Sequence, residues 1–443
     1  MHSEKSSLLA FFLLLVFLLS TAPVARAAEP LWTYSSPGDE IGSVTISSDG
    51  SAIAVGGGKI WLFSKTGTLL AKEPFGDQVI FTPDGSFLVS SYSDTLYKFK
   101  RNTSLKGSES PLQKIWETSL PGTIRSIGVS DDGNTIVASL NLAGIYIYDS
   151  TGKMIGGNAS RITIPRISSK GDRIIGASEG ALCRYSRDAI CTRSEEGIIG
   201  QESVIGTMPD FFELTSSGTV AVFNQGPRVR NVFPENNTLR WSENANGDIT
   251  SLAMTPSGSG ILVGTVNGDI NLFDQYGNLT WIYESNPMNK QFAKISCVAL
   301  SEEGTVAAAG SNDGKIFALN STGGVIWSNQ TKDHIHHIAM SADGSLVVAT
   351  GDNTVYAFST SVQPSSKVQP TVKKATSVRS QSVTSLPVNS STQKPKTLEP
   401  PAREITPVPT EYSVIRTSTQ SPLSDFIPLA GLLAALLMAA RRQ

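Results

Sequence analysis

Between residues 30 and 360, apolar and polar residues alternate in short runs separated by turn signals. No stretch there sustains a 3.6-residue period over three turns, so the pattern predicts strands rather than helices. The unit at 247–281 shows the arrangement most clearly. DITSLAMT alternates and meets a turn at Pro256-Ser257-Gly258. GILVGTV is a short apolar run that ends on Asn267-Gly268, a pair suited to a tight hairpin. DINLFD alternates again and turns through Gln275-Tyr276-Gly277-Asn278, and LTWIYE makes a fourth strand.

A Ser/Thr-x-x-Gly turn recurs with this unit, as SSDG, TPDG, SDDG, SSKG, TSSG, TPSG, SEEG and SADG. Its eight glycines, from Gly50 to Gly344, are spaced by 35, 48, 38, 47, 40, 46 and 40 residues. A period near 40 with four short strands per unit predicts an all-β chain folded as a β-propeller of eight blades. A seven-bladed ring, with the degenerate unit 156–197 absorbed elsewhere, is the alternative.

The eighth unit enters a polar segment without a fourth strand of its own, while Leu31-Trp32-Thr33-Tyr34 matches the fourth-strand pieces LTWIY, VIWSN, LRWSE and KIWET. Residues 30–35 are therefore expected to supply the outer strand of the last blade and clasp the ring. Trp116, Trp241, Trp281 and Trp327 are expected to pack between neighbouring blades.

The pattern G-D-I-x-x-F/L-D-x-x-G-x-x-x-W resembles the repeat of pyrroloquinoline-quinone-type propellers, and ITSLAMTPSG resembles the first strand of WD-repeat propellers. The resemblance covers about 30–360 and implies a fold, not a function. Quinone enzymes of that type carry a calcium ligand set, adjacent cysteines and a catalytic Asp. This chain has no adjacent cysteines, and Asp49, Asp84, Asp132 and Asp343 fall in turns. No cofactor is expected, and no catalytic motif is found.

The ends of the chain predict export. Lys5, the apolar run from Leu8 to Leu19 and Ala25-Arg26-Ala27 compose a secretory signal over 1–27, cut after Ala27. The propeller takes 28–360. Residues 361–421, rich in Pro, Ser and Thr, read as a disordered stalk. Residues 422–443 contain an apolar run from Phe426 to Ala440 closed by Arg441-Arg442, either a short transmembrane helix or a processed sorting signal. That end resembles the C-terminal sorting signals of archaeal surface proteins, with Ser421-Pro422-Leu423-Ser424 in place of the usual Pro-Gly-Phe motif.

Charge adds one exclusion. Residues 28–360 carry 24 Lys+Arg against 33 Asp+Glu, and 361–424 carry 8 against 3. An acidic domain argues against a nucleic-acid partner.

Candidate chemistry is sparse. Residues at the start of each first strand should meet at one face of the central channel: Gly42, Asp77, Arg125, Thr163, Asp210, Thr250, Ser296 and His336. They vary in charge and size, which fits a site for one asymmetric partner and equally no site at all. His334 and His336 of HIHH (334–337) share a strand face, but no carboxylate or Cys signature accompanies them, so a polar strand entrance is the reading preferred over a metal site.

Cys183 and Cys191 flank the predicted hairpin RYSRDAI and are placed for a disulfide or for two separate thiols. Cys297 occupies the slot of Ser43, Ser126 and Ser251 and reads as a buried small residue. Sequons stand at Asn102, Asn158, Asn236, Asn278, Asn320, Asn329 and Asn389, where N-glycosylation is plausible. The expected function is non-catalytic binding or scaffolding at the cell surface, with an envelope protein or glycan as partner and the membrane engaged by the C-terminal segment. An enzyme with a site gathered in the central funnel, or a structural envelope component, are the rivals.

Overall fold

In the Ser/Thr-x-x-Gly turns, the first residue and the glycine have separate jobs, and the computed structural model shows both eight times. The hydroxyl of the first residue accepts the N–H of the residue five positions on, from Ala52→Ser47 at 3.0 Å through to Leu346→Ser341 at 3.0 Å. The glycine N–H returns to the carbonyl of the same first residue. Every one of these glycines has a left-handed φ, between +67° and +77°, where a side chain is strained. Space is the second reason for glycine. A Cβ on Gly171 would meet Ser130, on Gly218 Ser168, on Gly344 Ser301 and on Gly50 Ser341, the first turn residues of the preceding blades.

The structure describes residues 28–104, 110–141, 144–158, 162–178, 181–185, 191–192, 209–235, 238–285 and 293–360. The predicted signal (1–27), stalk (361–421) and C-terminal segment (422–443) lie outside them. Every regular element among the described residues is a strand. Eight four-stranded antiparallel sheets follow one another along the chain. Seven have strands a to d in sequence order, the eighth borrows its d strand from the start of the propeller, and the a strands of neighbouring blades pack on one another around the centre.

The blades begin with β2 (Val44–Ile46), β6 (Gln78–Phe81), β10 (Ile124–Val129), β14 (Ile162–Ile167), β18 (Phe212–Leu214), β22 (Ile249–Met254), β26 (Ile295–Leu300) and β30 (His337–Met340). The degenerate 156–197 unit forms a blade of its own, β14 to β17 (Cys191–Thr192), so the seven-bladed alternative falls. The eighth sheet takes β1 (Trp32–Ser35) as its outer strand, opposite β32 (Thr354–Ser359), with Trp32 facing Ala357 and Ser35 facing Thr354. This is the expected clasp.

Two systems join the blades. At the a–b turns, the residue after each Ser or Thr sends its N–H to the carbonyl of the same position in the next blade. The bonds run from Ser48 to Pro83, Asp131 to Ser169, Ser169 to Ser216, Ser216 to Pro256, Glu302 to Ala342 and Ala342 back to Ser48. The two missing bonds start at Pro83 and Pro256, which have no N–H to give. The last bond closes the ring across the seam between first and last blades.

At the rim, four d-strand tryptophans dock on the c–d turn glycine of the next blade. The indole N–H groups of Trp32, Trp116, Trp241 and Trp281 donate to the carbonyls of Lys65, Ser150, Gln275 and Ser321 at 3.0–3.1 Å. Those carbonyls lie two residues before Gly67, Gly152, Gly277 and Gly323, where a Cβ would stand within 3 Å of the indole. A β-bulge on the d strand immediately precedes Trp116, Trp241 and Trp281. Trp327 has no such glycine ahead of it and stacks instead on Phe358, at 4.7 Å.

The apolar core is correspondingly divided among the blade interfaces. At the seam Ile53, Val55, Trp61 and Phe63 of the first blade pack on Leu346, Val348, Val355 and Ala357 of the last. Each fully buried side chain of this size contributes about 1.5–3 kcal/mol.

Candidate functional site

Strand direction sorts the connections onto two faces. The a–b and c–d turns share one face. The d–a connections and b–c turns share the other, where they bond to one another: Ile124 N–H to Ser93 carbonyl, Ser285 to Gly268, Thr331 to Gly314. We call this second face the open face.

The eight predicted strand-start residues all stand at the open face, at or within two residues of the start of an a strand. Arg125, Thr163, Thr250 and Ser296 are the extra residues of β-bulges in their blades, which removes them from the ladder. The structure does not gather their side chains into a cluster. The Asp77 carboxylate accepts the N–H of Gly58 (3.1 Å) and of Ser93 (3.4 Å), so it braces the b–c turns of two blades. The Thr250 hydroxyl donates to the Ile295 carbonyl of the next blade. Arg125 is exposed, and its carbonyl accepts Gln78 Nε2. Asp210 is exposed while its N–H is held by Asn224 Oδ1. Gly42 receives the Thr350 hydroxyl on its carbonyl, another bond across the seam. The side chain of Thr163 lies outside the described residues.

At the seam these connections enclose a cleft of about 600 Å³, lined by residues 38–42 with His336, His337, Asp352 and Asn353. His336 Nε2 lies 2.9 Å from Asp352 Oδ1. His337 keeps an accessible edge, yet the surrounding protein desolvates its ring, and with neighbouring His336 this holds the imidazole below its ordinary pKa. Asp39 is bonded to Lys59 and to Ser36, which lowers its carboxyl. His334 Nδ1 is committed to the Asn312 carbonyl, so His334 and His336 have separate partners. Among the described residues no group of three His, Cys, Asp or Glu side chains converges as a metal site.

One feature of the open face has no counterpart in the sequence reading. Phe75, in the d–a connection after the first blade, is 48% exposed and has φ +71°. Tyr92, at the b–c turn of the second blade, is 37% exposed, and the two rings lie 5.3 Å apart at 45°. Ser93 beside it also has a positive φ, +55°. Left-handed backbone at a phenylalanine costs about 1–3 kcal/mol and is held only where the surroundings dictate it.

Here the surroundings do. Gly76 is pressed against Ile60, where a Cβ would come within 2.3 Å, so the glycine of Phe75-Gly76 supplies space and the reversal falls on the phenylalanine. The Phe75 N–H is tied to the Gly58 carbonyl, and Asp77 fastens Gly58 to Ser93. A bulky aromatic after a proline in a polar connection, EPFGD, was the available signal.

The cysteines offer no nucleophile among the described side chains. Cys297 is buried, and desolvation pushes its thiol up to about 12. The backbone register opposes Cys191 to Tyr185, with Cys183 two positions away on the same strand, and both cysteine side chains lie outside the described residues. Of the sequons, Asn278 and Asn320 are exposed on c–d turns of the closed face. Asn102 donates to the Ser110 carbonyl and Asn329 to that of Ala28. The Asn158 side chain, Asn236 and Asn389 fall outside the described residues.

Comparison with known proteins places this architecture. A family model of the Vps8 β-propeller matches residues 238–375, from β21 (Thr238–Asn244) onward. Among solved structures, Sqt1 of Chaetomium thermophilum, determined bound to the N-terminus of the ribosomal protein L10, aligns with a TM-score of 0.63 at 15% identity, over 75% of this chain and all of that one. The C-terminal WD40 domain of Sif2 gives 0.62 at 13% identity, over 76% of this chain and 99% of the domain. The fold is that of a WD40-like β-propeller. A computationally designed propeller-sized protein, Ika8, also aligns, with a TM-score of 0.59 at 15% identity over 75% of this chain and 99% of that one. Identities this low speak for the fold alone. No curated protein sequence matches the chain.

Proposed function

We propose that this propeller is a non-catalytic protein-binding module, exported and held at the cell envelope by its C-terminal segment, and that it recognises its partner with the open face. The observation that carries the reading is the exposed Phe75–Tyr92 pair, kept on strained backbone at the edge of that face. Strain and exposed aromatic surface both cost stability, and a purely structural connection has no use for either. The closed face differs, because its eight turns repeat one geometry in which a glycine takes the left-handed position. The WD40-like neighbours support the reading, since one of them was determined with a protein segment bound.

The test is capture from envelope extract on the immobilised intact chain, with cross-linked partners identified by mass spectrometry. Recovery of one protein, competed by excess soluble chain, supports the module. Turnover of a sugar or peptide panel without a stable partner moves the protein to the enzymes. Export is tested separately by fractionation, where an intact-cell protease that leaves the propeller untouched contradicts surface display.

A further inference from the structure

We propose that the Phe75–Tyr92 pair is the seat for a basic side chain, arginine or lysine, carried on an exposed segment of the partner protein. The inference rests on the protein-binding reading and names what the open face recognises.

Three observations point to a cation. The first is an unused aromatic surface. The two rings, tilted at 45° to one another and 48% and 37% exposed, leave aromatic surface open to solvent. A cation over such a face is attracted by the ring quadrupole. The described cation–π pairs use other rings: Lys72 lies over Trp61, Lys98 over Phe87 and Arg240 over Phe233.

The second is the charge around the pair. Asp77 joins the turn that carries Tyr92, Asp94 follows two residues after that tyrosine, and both are exposed. Farther along the same face stand Glu40 and Asp352 at the seam cleft. Lys59 pairs with Asp39 and Lys114 with Glu117 at 2.7 Å, while Arg125 stands exposed next to Ile124, whose N–H meets the Ser93 carbonyl, so Asp77 and Asp94 outnumber it at the pair. A basic segment meets complementary charge here, and an acidic one meets repulsion.

The third is that the pair is positioned rather than incidental. Gly76 against Ile60 forces the reversal onto Phe75, whose N–H is tied to the Gly58 carbonyl, and Asp77 ties the Gly58 turn to the turn that carries Tyr92. The seat is therefore preformed, which lowers the ordering cost of binding.

The positive φ supplies a clean variant. Glycine at position 75 accepts φ +71° without strain and removes the ring, so Phe75→Gly separates binding from folding. The probes are fluorescein-labelled Gly-Ser peptides with three arginines, with three glutamines in their place, and with three glutamates, titrated by anisotropy at low and physiological salt. Chito-oligosaccharide is run alongside.

The arginine peptide should bind, the glutamine peptide about fivefold or more weakly, and the glutamate peptide not at all. Phe75→Gly should bring the arginine peptide down to the glutamine level, Phe75→Trp should keep it, and neither should lower the melting temperature appreciably. Equal binding of the arginine and glutamine peptides, indifference to Phe75→Gly, or occupation by the oligosaccharide alone each overturns the seat. Partner capture from envelope extract that persists in Phe75→Gly sinks the seat and keeps the module. Arginine-peptide binding through Phe75 by a chain that captures no partner sinks the module and keeps the seat.

Discussion

The two faces of this disc are built from the same chain by opposite rules. On the closed face, eight turns of one sequence type repeat one geometry, each bonded within itself through its first residue and its glycine and six of them donating to the next blade. On the open face the connections vary in length and composition, four a strands begin on a bulge, and a phenylalanine sits in left-handed backbone. Repetition marks the side that must close the ring. Irregularity with a cost in strain marks the side left for a partner. The difference also says where substitutions should hurt the fold and where they should hurt only binding.

The rim docking should give the largest effect. Trp281 is fully buried against Gly323 and Ser321, so Trp281→Ala should lower stability by about 3–5 kcal/mol in urea unfolding. Trp32 is half-buried, and Trp32→Ala should cost less, about 2 kcal/mol, but it loosens the seam itself. Hydrogen exchange in that variant should rise first in β1 and β32. Uniform exchange around the ring would show that the clasp is not the weak point.

Next in size are the turn hydroxyls of the closed face. Ser341→Ala leaves the buried Leu346 N–H without its acceptor and should cost about 1–3 kcal/mol. A threonine there should recover most of the loss, because Thr82, Thr215 and Thr255 fill the same role in other blades. A serine-to-alanine variant as stable as the parent would mean that the hydroxyl bond is incidental to the motif.

The same turns predict how the closed face responds to acid. The hydroxyls of Ser47, Ser341 and Ser168 donate to Asp49, Asp343 and Asp172 and hold those carboxyls below the ordinary range. A carboxyl with a lowered folded pKa contributes stability that is present above its unfolded pKa of about 4 and lost as pH falls through the folded value. The denaturation midpoint should therefore drop between pH 5 and pH 3. Asp343→Asn should lower the midpoint at pH 7 while shrinking that drop. An unchanged drop would assign acid sensitivity to other carboxyls.

The contrast also explains what the sequence disclosed. A turn needing a hydroxyl at its first position and a glycine at its fourth leaves a written mark in every blade, so the blade count and closed face were legible. The clasp was legible because Trp32 belongs to the same series as Trp281. The tryptophan's receptor was harder to see. Gly277 precedes Trp281 by four residues, yet it receives Trp241 from the blade before, and Trp281 goes forward to Gly323. The link crosses units, and only the pairing of a tryptophan in one repeat with a turn glycine in the next betrays it. Phe75 left only the aromatic after a proline in EPFGD as a mark, and its backbone was not legible, because a glycine beside it would be assigned the left-handed turn. Only the position of Ile60 beneath Gly76 reverses that choice.

The smallest expected stability effect sharpens the comparison most. Phe75→Gly relieves a backbone strain of about 1–3 kcal/mol but adds about 0.5–1 kcal/mol of unfolded-state entropy and forfeits an exposed ring contact. The net change should lie between zero and about 1 kcal/mol in favour of the variant. On the closed face, glycine-to-side-chain changes such as Gly344→Phe place a ring against Val306 and Ser301 at φ +72° and should prevent closure. A bulky residue in left-handed backbone is thus tolerated on one face and excluded on the other. If Phe75→Gly instead unfolds the second blade, the aromatic pair is part of the core and the open face loses its claim to a partner.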